Sequence, residues 1–249
     1  MVPAIVSRVY HITTFVWYLL LIYLLLNTQS NHSVPGLFLY AGQWKYLTFL
    51  NLFLQTFFNG LSILVDALGP VMWIRSFRDL LFSVLAFPVG TFVVTSFWLL
   101  FTYDRALVYP EDLDAFIPLW LNHAVHTVVL PLILLELFNT PHQYPKRRTG
   151  LLILGLVSIS YLLWVLWIYY AAGAWVYPLL GLFNRLGLVL FFSVSLLLVL
   201  LLYLLGEKLT LLIWDAARPT ELFQQLLFLF WLSPVSRSLL GLTDKTKKT

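Results

Sequence analysis

The chain has 249 residues, of which 61% are apolar and only 10% are charged. A soluble domain usually carries about a quarter charged residues, so this composition excludes a soluble protein and predicts a polytopic membrane protein. The sequence contains no cysteine, which excludes disulfides, thiol catalysis and metal sites with thiolate ligands. The formal net charge of +4 becomes informative only when the charges are assigned to the two sides of a membrane.

Six apolar runs are long enough to cross a bilayer, which takes about 20 helical residues. They cover roughly residues 9–26, 46–68, 80–101, 116–138, 151–170 and 186–205. We expect the first run to be a retained helix, because the following NTQSNHS offers no small-residue cleavage pattern for a signal peptidase. A seventh stretch, Leu222–Leu232, is too short to span and is expected to be an interfacial helix or a tail segment. The sequence thus predicts an all-α bundle of six transmembrane helices in residues 1–215, followed by a basic tail, 216–249.

The distribution of lysine and arginine predicts the orientation of this bundle. Six spans place both termini and two of the connecting loops on one side, which holds 12 of these residues, whereas the other side holds only Lys45, Arg105 and Arg185. Positive charge close to span ends stays in the cytoplasm, so both termini are predicted to be cytoplasmic. An aromatic belt then marks the outer interface, formed by Trp44, Tyr46, Tyr109, Trp120, Trp175 and Tyr177.

The second span carries a row of polar residues at helical spacing. The row consists of Thr48, Asn51, Gln55, Asn59, Ser62 and Asp66. Residues three or four positions apart share one face of an α-helix. Because an unpaired polar group in hydrocarbon costs several kcal/mol, this face must contact other helices or a water-filled cavity. Asn and Gln side chains that join helices are one explanation of the row, and a functional site is the other.

The fourth span contains the stretch LNHAVHT, with Asn122, His123 and His126. Ionisable groups at membrane depth are candidates for function, although a single buried histidine can also serve packing alone. His126 lies four residues after Asn122 and three after His123, so it can share a helix face with either of them. The polar row of the second span offers side chains that His126 could contact.

The aromatic belt allows the depths of Thr48 and His126 to be compared. Thr48 lies four residues past Trp44, about 6 Å below the belt at 1.5 Å per residue. His126 lies six residues past Trp120, about 9 Å below the belt by the same rise. Both spans run inward from the outer side, so we expect the hydroxyl and the imidazole to lie at similar depth and to be able to meet.

Three kinds of chemistry are compatible with these polar residues. In the first, His126 acts as the base that activates the Thr48 hydroxyl for attack on an acyl carbon. The second is a metal or haem site at His123 and His126, which we disfavour because two imidazoles alone do not complete a zinc site. The third is transport through a relay of His126 with Asp66 and Glu136, but these acids lie toward the inner end, and a continuous relay is not evident.

Six segments resemble the androgen-induced protein family over roughly residues 40–215. They are GQWKYLTFLNL (42–52), LAFPVGTFVV (85–94), YPEDLDAFIPLWLNHAVHTVVLP (109–131), HQYP (142–145), WVYP (175–178) and YLLGE (203–207). The resemblance implies a multi-pass membrane hydrolase of fatty acid esters of hydroxy fatty acids that uses a threonine and a histidine. On the family's pattern these two residues are Thr48 and His126.

The resulting expectation is a lipid ester hydrolase with Thr48 as nucleophile and His126 as base, without a metal or another cofactor. Its partners would be the bilayer and a branched fatty ester, not nucleic acid, in the plasma membrane or the endoplasmic reticulum. Five further residues are candidates to orient His126, to stabilise the oxyanion or to line the cavity: Lys45, Asn51, Gln55, Asn122 and His123. The sequence alone does not show which of these residues has which role. The alternative is a non-enzymatic membrane regulator whose polar residues only pack helices.

Overall fold

A computed structural model describes residues 4–31, 40–69 and 71–214, and all regular structure in these residues is helical. The helices are α1 (Ala4–Asn31), α2 (Leu47–Leu68), α3 (Met72–Leu81), α4 (Phe87–Tyr103), α5 (Leu119–His126), α6 (Val129–Asn139), α7 (Arg147–Ala172) and α8 (Arg185–Trp214). Short 3₁₀ turns lie in the connections at Gly42–Lys45, Arg105–Leu107, Glu111–Ala115 and Pro178–Leu182. The predicted basic tail, with its apolar stretch Leu222–Leu232, lies outside the described residues.

Six helical stretches in the described part of the chain are long and apolar enough to cross a membrane. They are Ala4–Thr28, Leu47–Leu68, Met72–Tyr103, Leu119–Asn139, Arg147–Ala172 and Arg185–Trp214. Each overlaps one of the six predicted runs, so the prediction of an all-helical, six-span membrane protein is confirmed. The described residues up to Lys208 form one compact unit, and the last residues of α8, Leu209–Trp214, are grouped apart from it.

The third span begins at Met72 instead of at about residue 80, because it contains charged residues that interrupt the apolar run. Arg75 and Arg78 lie between the second and third predicted runs, where a loop was expected, and the structure places both in α3. Arg78 is buried, and its guanidinium donates to the carboxylate of Asp79 at 2.7 Å. Pairing offsets much of the cost of burying each charge, so the helix continues past them, through a π-helical turn at Phe82–Ala86, into α4.

The fourth span is broken between α5 and α6, directly after His126. Pro131 has no backbone N–H to donate to the carbonyl of Thr127, which favours a break at this point. The Thr127 carbonyl accepts from the Leu130 N–H at 3.3 Å. The indole of Trp98 donates to the carbonyl of His126 at 3.0 Å and to the Thr127 hydroxyl at 3.1 Å. His126 therefore lies at the end of a short helix whose last carbonyl is held by α4.

At one end of the bundle, buried carboxylates and imidazoles form a continuous acid–imidazole network. In order of contact it consists of Asp66, His11, Glu136, His142, Asp79 and Arg78. Both ring nitrogens of each imidazole lie 2.7–3.1 Å from carboxylate oxygens. Three carboxyl groups, two imidazoles and one guanidinium thus alternate along the network, so each acidic group contacts a nitrogen-containing one.

This network joins α1, α2, α3, α6 and the segment that follows α6. Asp66 lies 18 residues after Thr48 on α2, which corresponds to about 27 Å along the helix. The two acids considered for a relay to His126, Asp66 and Glu136, are thus paired with His11 and His142 at the far end of α2 from Thr48. The network fixes the relative positions of the helices that carry the polar groups at the other end.

Candidate active site

An apolar cavity of about 870 Å³ lies between α2, α4, α7 and α8, with α5 on one side. Leucine, valine and phenylalanine form most of its wall. Thr48, Asn51, Asn122 and His126 are among the polar residues that line it. Its size falls in the range of about 300–1,000 Å³ that is usual for small-molecule sites, and such sites combine an apolar wall with a few polar groups.

Thr48 and His126 contact each other on the wall of this cavity. Thr48 lies in the first turn of α2, which begins after the N-cap Tyr46, and His126 is the last residue of α5. The Thr48 Oγ1 is 3.1 Å from the His126 Nε2. The two side chains thus meet, as the depth of each below the aromatic belt indicated.

The hydrogen bonds of His126 determine which ring nitrogen carries the proton. Its Nδ1 lies 2.7 Å from the Asn122 Oδ1 and 3.2 Å from the Asn122 backbone carbonyl oxygen. Because a carbonyl oxygen can only accept, Nδ1 donates and Nε2 is left with a free lone pair. The Thr48 hydroxyl therefore donates to Nε2. A hydroxyl, an imidazole and an orienting acceptor in this order can activate the hydroxyl as a nucleophile.

Phe97 of α4 stacks face to face on the His126 ring, with the centroids 3.5 Å apart and the planes 7° from parallel. His123 lies elsewhere: its ring is exposed and stacks on Trp98, and its Nδ1 is 3.0 Å from the Thr127 hydroxyl. The two histidines therefore have different surroundings. In the part of the chain that the structure describes, no group of three or more His, Asp or Glu side chains is arranged to hold a metal ion.

Two tyrosines fix the start of α2. The backbone N–H of Leu47 donates to the Tyr177 hydroxyl at 3.1 Å, and the Tyr161 hydroxyl donates to the carbonyl of Lys45 at 3.1 Å. The two hydroxyls are 3.2 Å apart, so Tyr177 donates in turn to Tyr161. Lys45 is buried with its ammonium 5.3 Å from the centre of the Tyr46 ring, and burial lowers its pKa.

The sequence identified Tyr177 only as a belt residue and gave no signal for Tyr161, since their partners are backbone groups far away in the sequence. Lys45 contributes its backbone carbonyl, which accepts the hydrogen bond from the Tyr161 hydroxyl.

The polar row of α2 points into the bundle. Asn51, Gln55 and Asn59 are all buried. The Gln55 Nε2 donates to the carbonyl of Ala86 at 2.9 Å and to the Asn51 Oδ1 at 3.2 Å. Asn59 donates to the backbone carbonyl of Gln55 at 2.8 Å and accepts a short hydrogen bond from the Thr14 hydroxyl. Helix-to-helix bonding thus accounts for Gln55 and Asn59, whereas Asn51 also lines the cavity.

The fold and this site define a multi-pass membrane protein with an imidazole-bonded hydroxyl on the wall of an apolar cavity. The profile of the family described as FAR-17a/AIG1-like protein matches residues 6–211. The chain belongs to this family, which confirms the resemblance found in the sequence.

Named relatives are consistent with this assignment. The chain is 44% identical over 207 residues to the androgen-dependent TFPI-regulating protein of Homo sapiens, across 81% of this chain and 90% of the human protein. It is 42% identical over 202 residues to the androgen-induced gene 1 protein of Homo sapiens, across 76% and 85% of the two chains. A UPF0641 membrane protein of Schizosaccharomyces pombe is 26% identical over 157 residues, across 63% and 70%. No solved structure matches the chain.

Proposed function

We propose that this protein is an integral membrane hydrolase that cleaves the ester bond of fatty acid esters of hydroxy fatty acids. The observation that carries the proposal is the Thr48 hydroxyl 3.1 Å from an imidazole nitrogen whose lone pair is free, on the wall of an apolar cavity. The substrate class rests on the family resemblance of GQWKYLTFLNL and NHAVHT, and the largely apolar wall suits two fatty chains.

In the first half of the reaction, Thr48 Oγ1 attacks the ester carbonyl carbon while His126 Nε2 takes the hydroxyl proton. The carbonyl oxygen becomes an oxyanion. When this intermediate collapses, the ester C–O bond breaks, and the imidazolium returns its proton to the departing alkoxide. The hydroxy fatty acid leaves, and the other acyl chain stays bonded to Thr48. Asn122 holds the Nδ1–H throughout, so His126 remains in the tautomer that accepts at Nε2.

In the second half, a water molecule attacks the acyl-threonine, and His126 takes its proton. Collapse of the second oxyanion breaks the bond to Thr48 Oγ1, which recovers a proton from the imidazolium. The fatty acid is released and the starting state returns. The two steps together consume one water per ester, and they require no cofactor.

We propose further that both termini face the cytoplasm and that the protein lies in the plasma membrane or the endoplasmic reticulum. The uneven distribution of lysine and arginine supports this orientation. Thr48 then lies just below the outer headgroups, one turn past Trp44. An ester in the middle of a lipid chain lies below the headgroups too, so the substrate could reach Thr48 from within the bilayer.

The alternative is a non-enzymatic regulator in which Thr48 and His126 only join helices. The cavity favours the enzyme, because two side chains that merely pack helices need no space of about 870 Å³ beside them. Turnover separates the two functions. The purified protein in detergent is incubated with a branched fatty ester, and the release of hydroxy fatty acid is measured by mass spectrometry.

Three variants make this assay specific. We expect Thr48→Ala and His126→Ala to abolish release, and the double variant to be no worse than either, because residues that act as a unit lose activity non-additively. His123→Ala, three residues away on the same helix, is the matched control and should retain activity. The kcat/KM of the wild type should rise along an ascending limb with pH, since only neutral imidazole accepts the proton. Full activity in His126→Ala would overturn the mechanism.

A further inference from the structure

The amide of Asn51 is a buried donor with a free hydrogen-bonding group beside the nucleophile. Asn51 is 1% exposed, and within the described residues its Nδ2 has no hydrogen-bond partner. It lies three residues after Thr48, which makes the two side chains neighbours on the same face of α2. Both line the cavity. A buried amide usually finds partners for its protons, so the Nδ2 group can still donate to an acceptor on a bound molecule.

The orientation of this amide is fixed by a backbone group. Gln55 contacts the carbonyl oxygen of Ala86, which can only accept, so the atom of Gln55 that faces it must be the NH₂ group. The same NH₂ group faces Asn51, which must therefore present its oxygen to Gln55. The NH₂ group of Asn51 is then the end that is left without an acceptor in the described residues, on a residue that lines the cavity.

The close approach of α4 to these amides depends on Gly90. A Cβ atom at this position would lie 2.8 Å from the Gln55 Nε2 and 3.4 Å from the Asn51 Oδ1, and it would overlap the Ile133 side chain. Glycine thus leaves room for the amide pair between α2 and α4. The Ala86 carbonyl that anchors the pair belongs to the π-helical turn Phe82–Ala86, where the regular α-helical hydrogen-bond pattern is interrupted.

We propose that Asn51 is the oxyanion donor of this hydrolase, with its Nδ2–H directed at the carbonyl oxygen of the ester as Thr48 attacks. The inference rests on the proposed function. The positive end of the α2 dipole, at the turn that holds Thr48, adds to the stabilisation of the same negative charge. Of the candidates that the sequence left open, Asn122 orients the base, Asn51 binds the oxyanion, and Gln55 is a positioning residue for Asn51.

The test compares Asn51→Leu, Asn51→Asp and the control Ser62→Ala. A leucine keeps the approximate size of asparagine, an aspartate keeps its shape, and both remove the amide donor. Loss of one oxyanion donor typically lowers kcat by about 10²–10³-fold, and we expect this loss with KM nearly unchanged. Ser62 is also buried on the polar face of α2 with no partner in the described residues, but it lies three turns further along. Its variant should keep the wild-type kcat.

Two inhibitors separate a catalytic role from a structural one. A trifluoromethyl ketone of a fatty acid forms a tetrahedral oxyanion with a nucleophilic hydroxyl, whereas the ether analogue of the substrate mimics only the ground state. In the Asn51 variants, the inhibition constant of the ketone should rise by about the same factor as kcat/KM falls. Binding of the ether should not change. Gln55→Met, which frees the Asn51 amide to rotate, should give a smaller loss of the same kind.

The possible outcomes are distinct. If the wild type neither turns over the ester nor binds the ketone, the proposed function fails and this inference fails with it. If the wild type is active and an Asn51 variant keeps its kcat, the inference alone is wrong. Parallel losses of ketone and ether binding would also contradict it, since they would show a disturbed cavity. If Asn51→Leu does not fold, Asn51→Asp carries the comparison.

Discussion

At the scale of single residues, the His126 ring is oriented by the side-chain amide and backbone carbonyl of Asn122. In a Ser-His-Asp triad, a carboxylate orients the histidine. Asn122 lies one helical turn before His126, and it offers two acceptors to Nδ1, from the side chain and from the backbone. An amide fixes the tautomer as a carboxylate does, but it adds no charge to the imidazole. This arrangement avoids burying an unpaired carboxylate in a largely apolar site, which would be costly.

We expect Asn122→Leu to lower kcat about fivefold to tenfold, with KM unchanged. This corresponds to the loss of one hydrogen bond of about 1 to 1.4 kcal/mol, because the backbone carbonyl of residue 122 still holds Nδ1. Asn122→Asp keeps a side-chain acceptor and should retain more activity than Asn122→Leu. Steady-state kinetics on both variants test this. Equal losses in the two, or a change confined to KM, would show that Asn122 does not act through His126.

Arg185 is exposed at the start of α8 and is among the residues that line the cavity. The proposed substrate has a free carboxylate at one end, and guanidinium groups bind carboxylates through charge-assisted hydrogen bonds. We expect Arg185→Gln to raise KM for the free acid and to leave KM for its methyl ester unchanged, with kcat similar in both. A kinetic comparison of the acid and its methyl ester in the two proteins tests this. An equal rise in KM for the acid and the methyl ester would show that Arg185 does not bind the substrate carboxylate.

At the scale of helices, the sequence allowed some features to be predicted and concealed others for physical reasons. The polar row of α2 could be predicted because helical periodicity is local. The early start of α3 could not, since Arg78 and Asp79 become acceptable in a span only when paired. Nor could the acid–imidazole network, because His11 and Glu136 are 125 residues apart and meet only through the packing of α1 against α6. The link from Asn51 through Gln55 to the Ala86 carbonyl likewise required the packing of α2 against the π-helical turn.

The acid–imidazole network should be a major source of stability. Glu136 accepts from His11 and His142 at the centre of the network and is 1% exposed. Removing one partner of a buried charged network typically costs about 3–5 kcal/mol, so Glu136→Gln should lower the thermal unfolding temperature markedly in detergent. Arg75→Gln, an exposed change on α3, is the control and should unfold near the wild type. A wild-type Tm for Glu136→Gln would mean that the network contributes little.

At the scale of the whole molecule, the polar chemistry is divided between two ends of the bundle. Thr48 and His126 lie at one end beside an apolar cavity, and the acid–imidazole network lies about 27 Å away along α2. The network ties α1, α2, α3 and α6 together, while α7 and α8 present many exposed apolar side chains. The proposed function therefore places the reaction at the end of the bundle opposite to the network.

The proposed orientation can be tested in intact cells that display the protein at their surface. A tag at either terminus should be protected from antibody until the cells are permeabilised, because both termini are expected in the cytoplasm. A tag inserted near Glu111, in the exposed turn after α4, should be accessible without permeabilisation. Accessible terminal tags would reverse the orientation and place Thr48 near the inner leaflet.

The central claim, that Thr48 is a nucleophile activated by His126, is tested most directly by mapping a covalent adduct. The purified protein is treated with a fluorophosphonate, digested and analysed by mass spectrometry. We expect one adduct, on the peptide that contains Thr48, with no adduct there in Thr48→Ala, little in His126→Ala and near wild-type labelling in His123→Ala. Labelling at another residue that persists in Thr48→Ala, or undiminished labelling of Thr48 in His126→Ala, would contradict the mechanism.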